Sequence, residues 1–277
     1  MSRERTYRFA VALGHGAMRA LDLRLEGIGA EHVPTSGPVL LAATHISYPD
    51  FVFIQSAARS SGRFVRFMTR HDVWHVPGLA RPMDAMQHIP VDRQAPAAAY
   101  VKARRLLRQG EAVCAFPEAG ISYSYTVRSL MRGVASLARE TGAPVVPVAL
   151  WGAQRVYSVG VPDERGKEPP PSFRRGRRVD VSFGRPVTVG PGEDLTEWTC
   201  HLGALLTHQL EALQRLPHHV PRPGERAPWY PAHLGGHAPT RAEAAHLDVV
   251  PRAAVRPTWG PTQPEPGGAP PASRAGW

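Results

Sequence analysis

A histidine and an aspartate stand five positions apart in THISYPD, residues 44–50, directly after the apolar run PVLLAA. A neutral imidazole can remove a proton near pH 7, and a carboxylate on its other ring nitrogen fixes the tautomer and stabilises the imidazolium. Pro49 and Asp50 are typical of a helix start, where the chain would turn back towards His45. The pattern fits a catalytic pair, but it also fits an aspartate that only caps a helix.

An arginine could bind phosphate in HIPVDR, residues 88–93. Arg93 comes just before a helix predicted to begin near Ala95, and the free backbone N–H groups of a helix start also attract anions. The alternative is a solvated loop arginine paired with Asp92.

A third polar group follows an apolar strand in AFPEAGISYS, residues 115–124. A carboxylate at a strand end, here Glu118, is well placed to orient a ligand, and Gly120 permits close approach of a ligand to the backbone. The alternative is a strand-to-loop turn with an exposed glutamate.

Short apolar runs rich in β-forming residues alternate with longer runs of helical period in the first 216 residues. The strand candidates are 38–43, 63–68, 112–116, 144–150 and 179–183, and the helix candidates are 50–60, 77–86, 95–109, 128–140 and 195–215. This alternation predicts an α/β domain with a mostly parallel central sheet flanked by helices. Ligands of such sheets bind beyond the carboxyl ends of the strands, so the loops of His45 and Glu118 would face one cleft.

The two ends of the chain differ from this domain, which we place at 27–216. Residues 1–26 are predicted to form a helical segment without the apolar core of a signal peptide or a membrane-spanning helix. Residues 217–277 are rich in proline, glycine and alanine with no sustained period, so we expect a disordered tail. We therefore expect a cytoplasmic protein that is soluble or at most associated with a membrane.

The charge of the chain is strongly basic, with a net charge of +10 that comes almost entirely from arginine. Arginine binds phosphate in a planar fork, so anionic partners are expected, although a genome rich in G and C would produce the same bias. FRRGRR, residues 173–178, is a compact basic cluster that could contact anionic lipid or nucleic acid, or form a solvated loop. The two cysteines form no disulfide framework, which fits a reducing compartment.

Taken together and in this order, the polar segments resemble the glycerolipid acyltransferase superfamily, which includes the 1-acylglycerol-3-phosphate acyltransferases. The likeness runs from about Gly27 to Pro186. The matches, in chain order, are the family's His-x4-Asp block with His45, Ser47 and Asp50, its arginine block with Arg93, its Phe-Pro-Glu-Gly block with Phe116, Pro117 and Glu118, and a weaker proline block with Pro147.

The resemblance implies transfer of a fatty acyl group from acyl-CoA or acyl carrier protein to a lysophospholipid hydroxyl, foremost that of 1-acyl-sn-glycerol-3-phosphate, which gives phosphatidic acid. His45 would be the general base, and Asp50 would orient it. The implied substrate-binding residues are Arg93 for the acceptor phosphate and Glu118 for the acceptor, with Ser47, Gly120 and Ser122 beside them. Neither a metal nor a cofactor is expected, and the source of the acceptor implies a peripheral position at the inner face of a membrane.

Three residues depart from the family pattern. Thr44 precedes the histidine in place of the usual asparagine, Ala119 replaces the glycine after the glutamate, and Ile121 replaces an arginine next to the final serine. The last change removes an expected phosphate ligand, which Arg128 or Arg132 could replace. Another lipid or alcohol acceptor is therefore an alternative.

Other classes of function have weaker support. The chain has no G-x-S-x-G, the elbow that a serine hydrolase would need. HDVWH, residues 71–75, spaces two histidines as in a zinc-binding helix, but Asp72 replaces the glutamate base, so a structural role is favoured. A non-enzymatic basic protein that binds membranes or nucleic acid is the second alternative. Since no nucleic-acid-binding motif accompanies the basic cluster, we expect no nucleic-acid partner.

Overall fold

A seven-stranded sheet organises residues 3–92, 95–249 and 254–255, the part of the chain that the computed structural model describes. The strands are β1 Arg24–Ile28, β2 Val39–Ala43, β3 Val65–Arg70, β4 Ile89–Val91, β5 Ala112–Ala115, β6 Val145–Trp151 and β7 Arg178–Phe183. Their order across the sheet is β1-β7-β6-β2-β5-β3-β4. Strands β6, β2, β5, β3 and β4 run parallel, and β7 and β1 run in the opposite direction. The predicted mostly parallel α/β sheet is confirmed.

Helices cover this sheet and connect its strands. They are α1 Arg3–Ala20, α2 Asp50–Ala57, α3 Ala80–Ala85, α4 Ala97–Arg108, α5 Gly133–Thr141, α6 Leu195–Gln214 and α7 Arg241–Ala244. Every predicted strand and helix is present with shifted bounds, whereas β1, β4 and α7 were not predicted. Among the described helices, none combines the length and the apolar content that crossing a bilayer requires.

The central strands are buried along their whole length because helices cover both faces of the sheet. All residues of β2, β5 and β6 are buried, which matches their uninterrupted apolar sequences. Helix α4 turns Ala99, Ala103, Leu106 and Leu107 to the core and leaves its arginines outside. Helix α6 begins at a defined point because the Asp194 side chain accepts hydrogen bonds from the first turn. The apolar pattern thus holds the strand ends, and the loops after them, in fixed positions.

Residues 217–249 pack against the core instead of forming a disordered tail. Tyr230 is 2% exposed, and its hydroxyl donates a hydrogen bond to the Gln214 carbonyl at 2.8 Å. Its ring contacts Trp151 with centroids 6.2 Å apart. Proline and glycine prevent long helices here, but turns and aromatic burial order the backbone. The prediction of disorder is wrong for 217–249, and residues 250–253 and 256–277 lie outside the described part.

Candidate active site

The predicted pair and the predicted glutamate meet at one edge of the sheet. His45 follows β2 and Glu118 follows β5, and these two strands are parallel neighbours. Their carboxyl ends therefore point the same way. The sheet brings together two loops that are 73 positions apart in the sequence.

Asp50 holds the imidazole of His45 in place. Its Oδ2 lies 2.8 Å from His45 Nδ1 and also accepts the backbone N–H groups of Ile46 at 2.9 Å and Ser47 at 3.0 Å. The Ser47 hydroxyl donates a short hydrogen bond to its other oxygen. These donors all precede α2, which begins at Asp50, so this carboxylate does not cap the helix. The capping alternative is excluded.

The ring of His45 leaves one nitrogen available. It stacks on Phe116 with centroids 4.4 Å apart and an angle of 30° between the planes. Since Nδ1 faces Asp50, Nε2 points away from this carboxylate. The His45 side chain is 23% exposed, whereas Asp50 is fully buried. In this geometry the Asp50 carboxylate keeps the proton on Nδ1 of His45, and Nε2 can accept a proton from a substrate.

Glu118 joins the two loops from inside the protein. It is 1% exposed, and its oxygens accept the backbone N–H groups of His45 at 2.8 Å and Arg128 at 2.7 Å. Burial raises the pKa of Glu118 to about 7, although these two N–H donors lower it in part. The carboxylate therefore sets the position of the His45 backbone.

Residues 24–151 match the family model described as Acyltransferase. These residues are therefore an acyltransferase domain, and the resemblance to the glycerolipid acyltransferases that the motifs predicted is confirmed.

Curated relatives of this acyltransferase domain carry one activity in their names. A 1-acyl-sn-glycerol-3-phosphate acyltransferase of Neisseria gonorrhoeae is 30% identical over 163 residues, 58% of either protein. One of Borreliella burgdorferi is 29% identical over 146 residues, 50% of this chain and 57% of the relative. A chloroplastic one of Brassica napus is 26% identical over 136 residues, 48% of this chain and 38% of the relative. This chain therefore spans less than two thirds of their length.

A solved structure shares the fold of the acyltransferase domain. It is the crystal structure of the 1-acyl-sn-glycerophosphate (LPA) acyltransferase PlsC from Thermotoga maritima, with a TM-score of 0.59 and 21% identity. The match covers 77% of this chain and 82% of that one.

Of the remaining predicted site residues, Gly120 and Ser122 are described by the structure, and Arg93 falls outside the described residues. Ser122 is fully buried, and its N–H donates to the His45 carbonyl at 3.2 Å. Gly120 is also buried, and any side chain on it would collide with the guanidinium of Arg128. The close packing of the Arg128 guanidinium on the backbone is thus a reason for glycine at position 120 that does not depend on a ligand.

The two arginines offered as substitute phosphate ligands have different surroundings. Arg128 is 6% exposed and donates to the carbonyls of Ile121 at 3.2 Å and Val249 at 2.9 Å. Its Nε lies 3.5 Å from an Asp248 carboxylate oxygen. Arg132 is exposed, and its Nη1 donates a hydrogen bond to the Thr196 hydroxyl at 3.4 Å. Arg128 thus braces the glutamate loop.

Sequence reasoning missed a tyrosine–glutamate cluster beside the motifs. The hydroxyls of Tyr48 and Tyr123 donate to opposite oxygens of Glu168, at 2.9 and 2.8 Å. Both tyrosines belong to the motif loops, which was the available signal. Glu168 comes from a proline-rich loop whose position the sequence does not reveal.

Proposed function

We propose that this protein is an O-acyltransferase that moves a fatty acyl group from a thioester to a lysophospholipid hydroxyl. The observation that supports this most directly is the arrangement of His45 within the acyltransferase domain. Its Nδ1 contacts the buried Asp50 carboxylate, and its Nε2 points away from that carboxylate on a partly exposed side chain. The names of the relatives support 1-acyl-sn-glycerol-3-phosphate as the acceptor and phosphatidic acid as the product.

In this mechanism His45 Nε2 accepts the proton of the acceptor hydroxyl while Nδ1–H stays on Asp50. The acceptor oxygen attacks the thioester carbonyl carbon and forms a tetrahedral intermediate. The carbon–sulfur bond then breaks, and the leaving sulfur takes the proton from the imidazolium as free thiol. Base catalysis by a positioned group contributes about 10²–10⁴-fold to the rate. No step requires a metal or a covalent enzyme intermediate.

Two of the predicted substrate-binding residues receive positioning roles in this proposal. Both oxygens of Glu118 bind backbone N–H groups, so we assign it to holding His45 in place. Ser47 likewise holds Asp50 through its hydroxyl and its N–H. Gly120 and Ser122 shape the loop behind the base. Arg93 keeps its proposed role as ligand of the acceptor phosphate.

A membrane surface would supply the acceptor. Helix α1 exposes Phe9 (66%) and Leu13 (67%) on its outside, which supports peripheral contact with a bilayer at its inner face.

Thiol release tests the base. Purified protein is incubated with acyl-CoA and a panel of lysophospholipids and neutral alcohols, and free thiol is measured. We expect acceptor-dependent release that His45→Ala lowers by about 10²–10⁴-fold. His208→Ala, which changes an exposed histidine of α6, is the matched control and keeps the wild-type rate. Release that is unchanged in His45→Ala would overturn the mechanism.

The acceptor is tested with Arg93→Ala. We expect this variant to raise KM for phosphorylated acceptors far more than for neutral ones. Equal effects on both would show that Arg93 is not the phosphate ligand. Ile121, in place of an arginine, and the internal contacts of Arg128 favour another lipid or alcohol acceptor as the second candidate, and the same panel would identify it.

A further inference from the structure

A second polar site lies apart from His45, in a cavity of about 260 Å³. Five arginines line it, and we call them the arginine basin: Arg155, Arg174, Arg175, Arg177 and Arg178. Four of them come from the FRRGRR cluster and the fifth from the loop after β6. The basic cluster is therefore one wall of a concave site.

The basin lies at the same edge of the sheet as His45. Strand β7 runs against β6 and pairs Asp180 with Trp151, the last residue of β6. The start of β7 thus lies where the parallel strands end. The order β7-β6-β2 separates it from the strand leading to His45 by two strand spacings, roughly 10 Å.

Arg177 has hydrogen-bond donors without acceptors in this basin. Its Nη2 donates to the Ser172 hydroxyl at 2.8 Å, but its buried Nε and Nη1 have no hydrogen-bond partner within the described ranges. Burial, together with the nearby charges of Arg155 and Arg174, lowers the pKa of Arg177 to about 10. A bound anion would satisfy these donors and relieve the repulsion between the guanidinium groups.

A metal ion is a poorer match to the same region. Asp180, His218 and His219 place ligand atoms close enough for a cation. However, Asp180 already lies 2.8 Å from one Nε2 and 2.6 Å from the other, so the three side chains satisfy one another. The adjacent arginines would also repel a cation.

We propose that the arginine basin binds the phosphate groups of a coenzyme A thioester. This inference rests on the proposed acyltransferase function, for which it names the donor. Coenzyme A carries a diphosphate and a 3′-phosphate at one end, and its long pantetheine arm places the thioester far from them. A phosphate site separated from the base by two strands suits this layout. Concave shape and buried donors suit phosphate groups better than the broad surface of a carrier protein or a bilayer.

Donor selectivity tests the proposal. The basin variant is Arg174→Gln/Arg175→Gln. The control is Arg105→Gln/Arg108→Gln, which removes the same charge from exposed positions near the end of α4, at the opposite edge of the sheet. KM is measured for acyl-CoA and for the same acyl group on N-acetylcysteamine, a thioester without phosphate. We expect the ratio of the two KM values to rise about tenfold in the basin variant and to stay constant in the control.

Three results would overturn the proposal: an unchanged ratio, a rise in KM for the lysophospholipid alone, or weaker binding to anionic vesicles with the donor ratio intact. An effect on acyl carrier protein but not on acyl-CoA would also contradict it.

Calorimetric titration with free coenzyme A separates this proposal from the proposed function. We expect Kd to rise about tenfold in the basin variant and to stay unchanged in the control. If the wild-type protein binds coenzyme A through the basin but transfers no acyl group, the proposed function fails and the phosphate site stands. If it transfers acyl groups while both variants behave alike, the phosphate site fails and the function stands.

Discussion

Two imidazole–carboxylate groups lie at the same edge of the sheet and differ in which ring nitrogen meets the aspartate. His45 uses Nδ1 against Asp50 at 2.8 Å. His218 and His219 both use Nε2 against Asp180, at 2.8 and 2.6 Å. The first arrangement leaves a nitrogen on the open side of the ring, and the second places the carboxylate between two rings.

Under the proposed mechanism, this difference explains why His45, and neither His218 nor His219, is placed to act as a base. A base must carry the proton that it removes, so its surroundings must accept an imidazolium. Burial lowers the pKa of His219, and the hydrogen bond that its Nε2 donates to Asp180 only partly opposes this. The positive charge of Arg155 lowers the pKa of His219 as well. The Asp180 cluster therefore acts as an internal brace, whereas His45 is placed for proton transfer.

Replacing each aspartate by asparagine should separate the two groups most strongly. In Asp50→Asn the amide cannot hold Nδ1–H of His45 as the carboxylate does, so we expect kcat to fall by about 10²–10⁴-fold. In Asp180→Asn one of the two imidazoles, exposed His218 or buried His219, loses its acceptor, so we expect the free energy of unfolding to fall by about 1–3 kcal/mol. Thiol release per folded molecule and urea unfolding measure the two effects. Near-normal kcat in Asp50→Asn would erase the distinction.

A fourth imidazole, that of His88, extends the comparison to a histidine near two cations. His88 is 4% exposed, and its Nδ1 accepts the Phe67 N–H at 3.1 Å. Burial lowers the pKa of His88 to about 3, and Arg66 and Lys102 contribute.

The unfolded chain binds a proton at this histidine from about pH 6.5 downward, whereas the folded chain does so only near pH 3. Stability from His88 is thus complete above pH 6.5 and is lost as the pH falls. We expect a loss on the order of 2 kcal/mol by pH 4.5 in urea unfolding. In His88→Gln this slope should disappear. An equally steep slope in that variant would assign the acid sensitivity to another group, such as His219.

The smallest expected effect concerns the loop that holds His45. Ala119 has φ 55°, a left-handed conformation that costs a non-glycine residue about 1–2 kcal/mol. Glycine avoids this cost, but it loses more conformational entropy on folding than alanine does, which cancels part of the gain. We therefore expect Ala119→Gly to raise the free energy of unfolding by about 0.5–1 kcal/mol. Ala204→Gly, at an exposed position inside α6, is the control and should lower it by about 1 kcal/mol. Destabilisation by both changes would show that the loop is not strained at Ala119.

The central fold could be predicted because strands that are buried on both faces of the sheet have uninterrupted apolar sequences. Strands β2, β5 and β6 have such runs, and their loops carried the motifs. Strand β1 could not be found this way, because it lies at the sheet edge, pairs only with β7 and is mostly exposed. Strand β4 has three residues, too few for a period.

Composition did not predict that residues 217–249 are ordered, and the motif did not predict that Glu118 binds backbone groups of the protein itself. Tyr230 and Trp229 anchor the proline-rich segment, and counting prolines does not reveal where an aromatic ring packs. The motif located Glu118 at the strand end, but only the structure shows its carboxylate turned inward to two backbone N–H groups. The arginine basin joins residues from separate segments, so no short pattern contains it.

The reversed direction of β7 has a consequence for protein engineering. The connection 152–177 leaves β6 and enters β7 at the same edge, so its two ends are neighbours in space. Such a connection can be exchanged as a cassette. Gly152 should stay as one boundary, because its φ of 102° and the nearby Arg178 carbonyl leave no room for a side chain. Under the proposed function, cassettes from relatives should alter donor preference while β2 and β5 keep their register and His45 keeps its position.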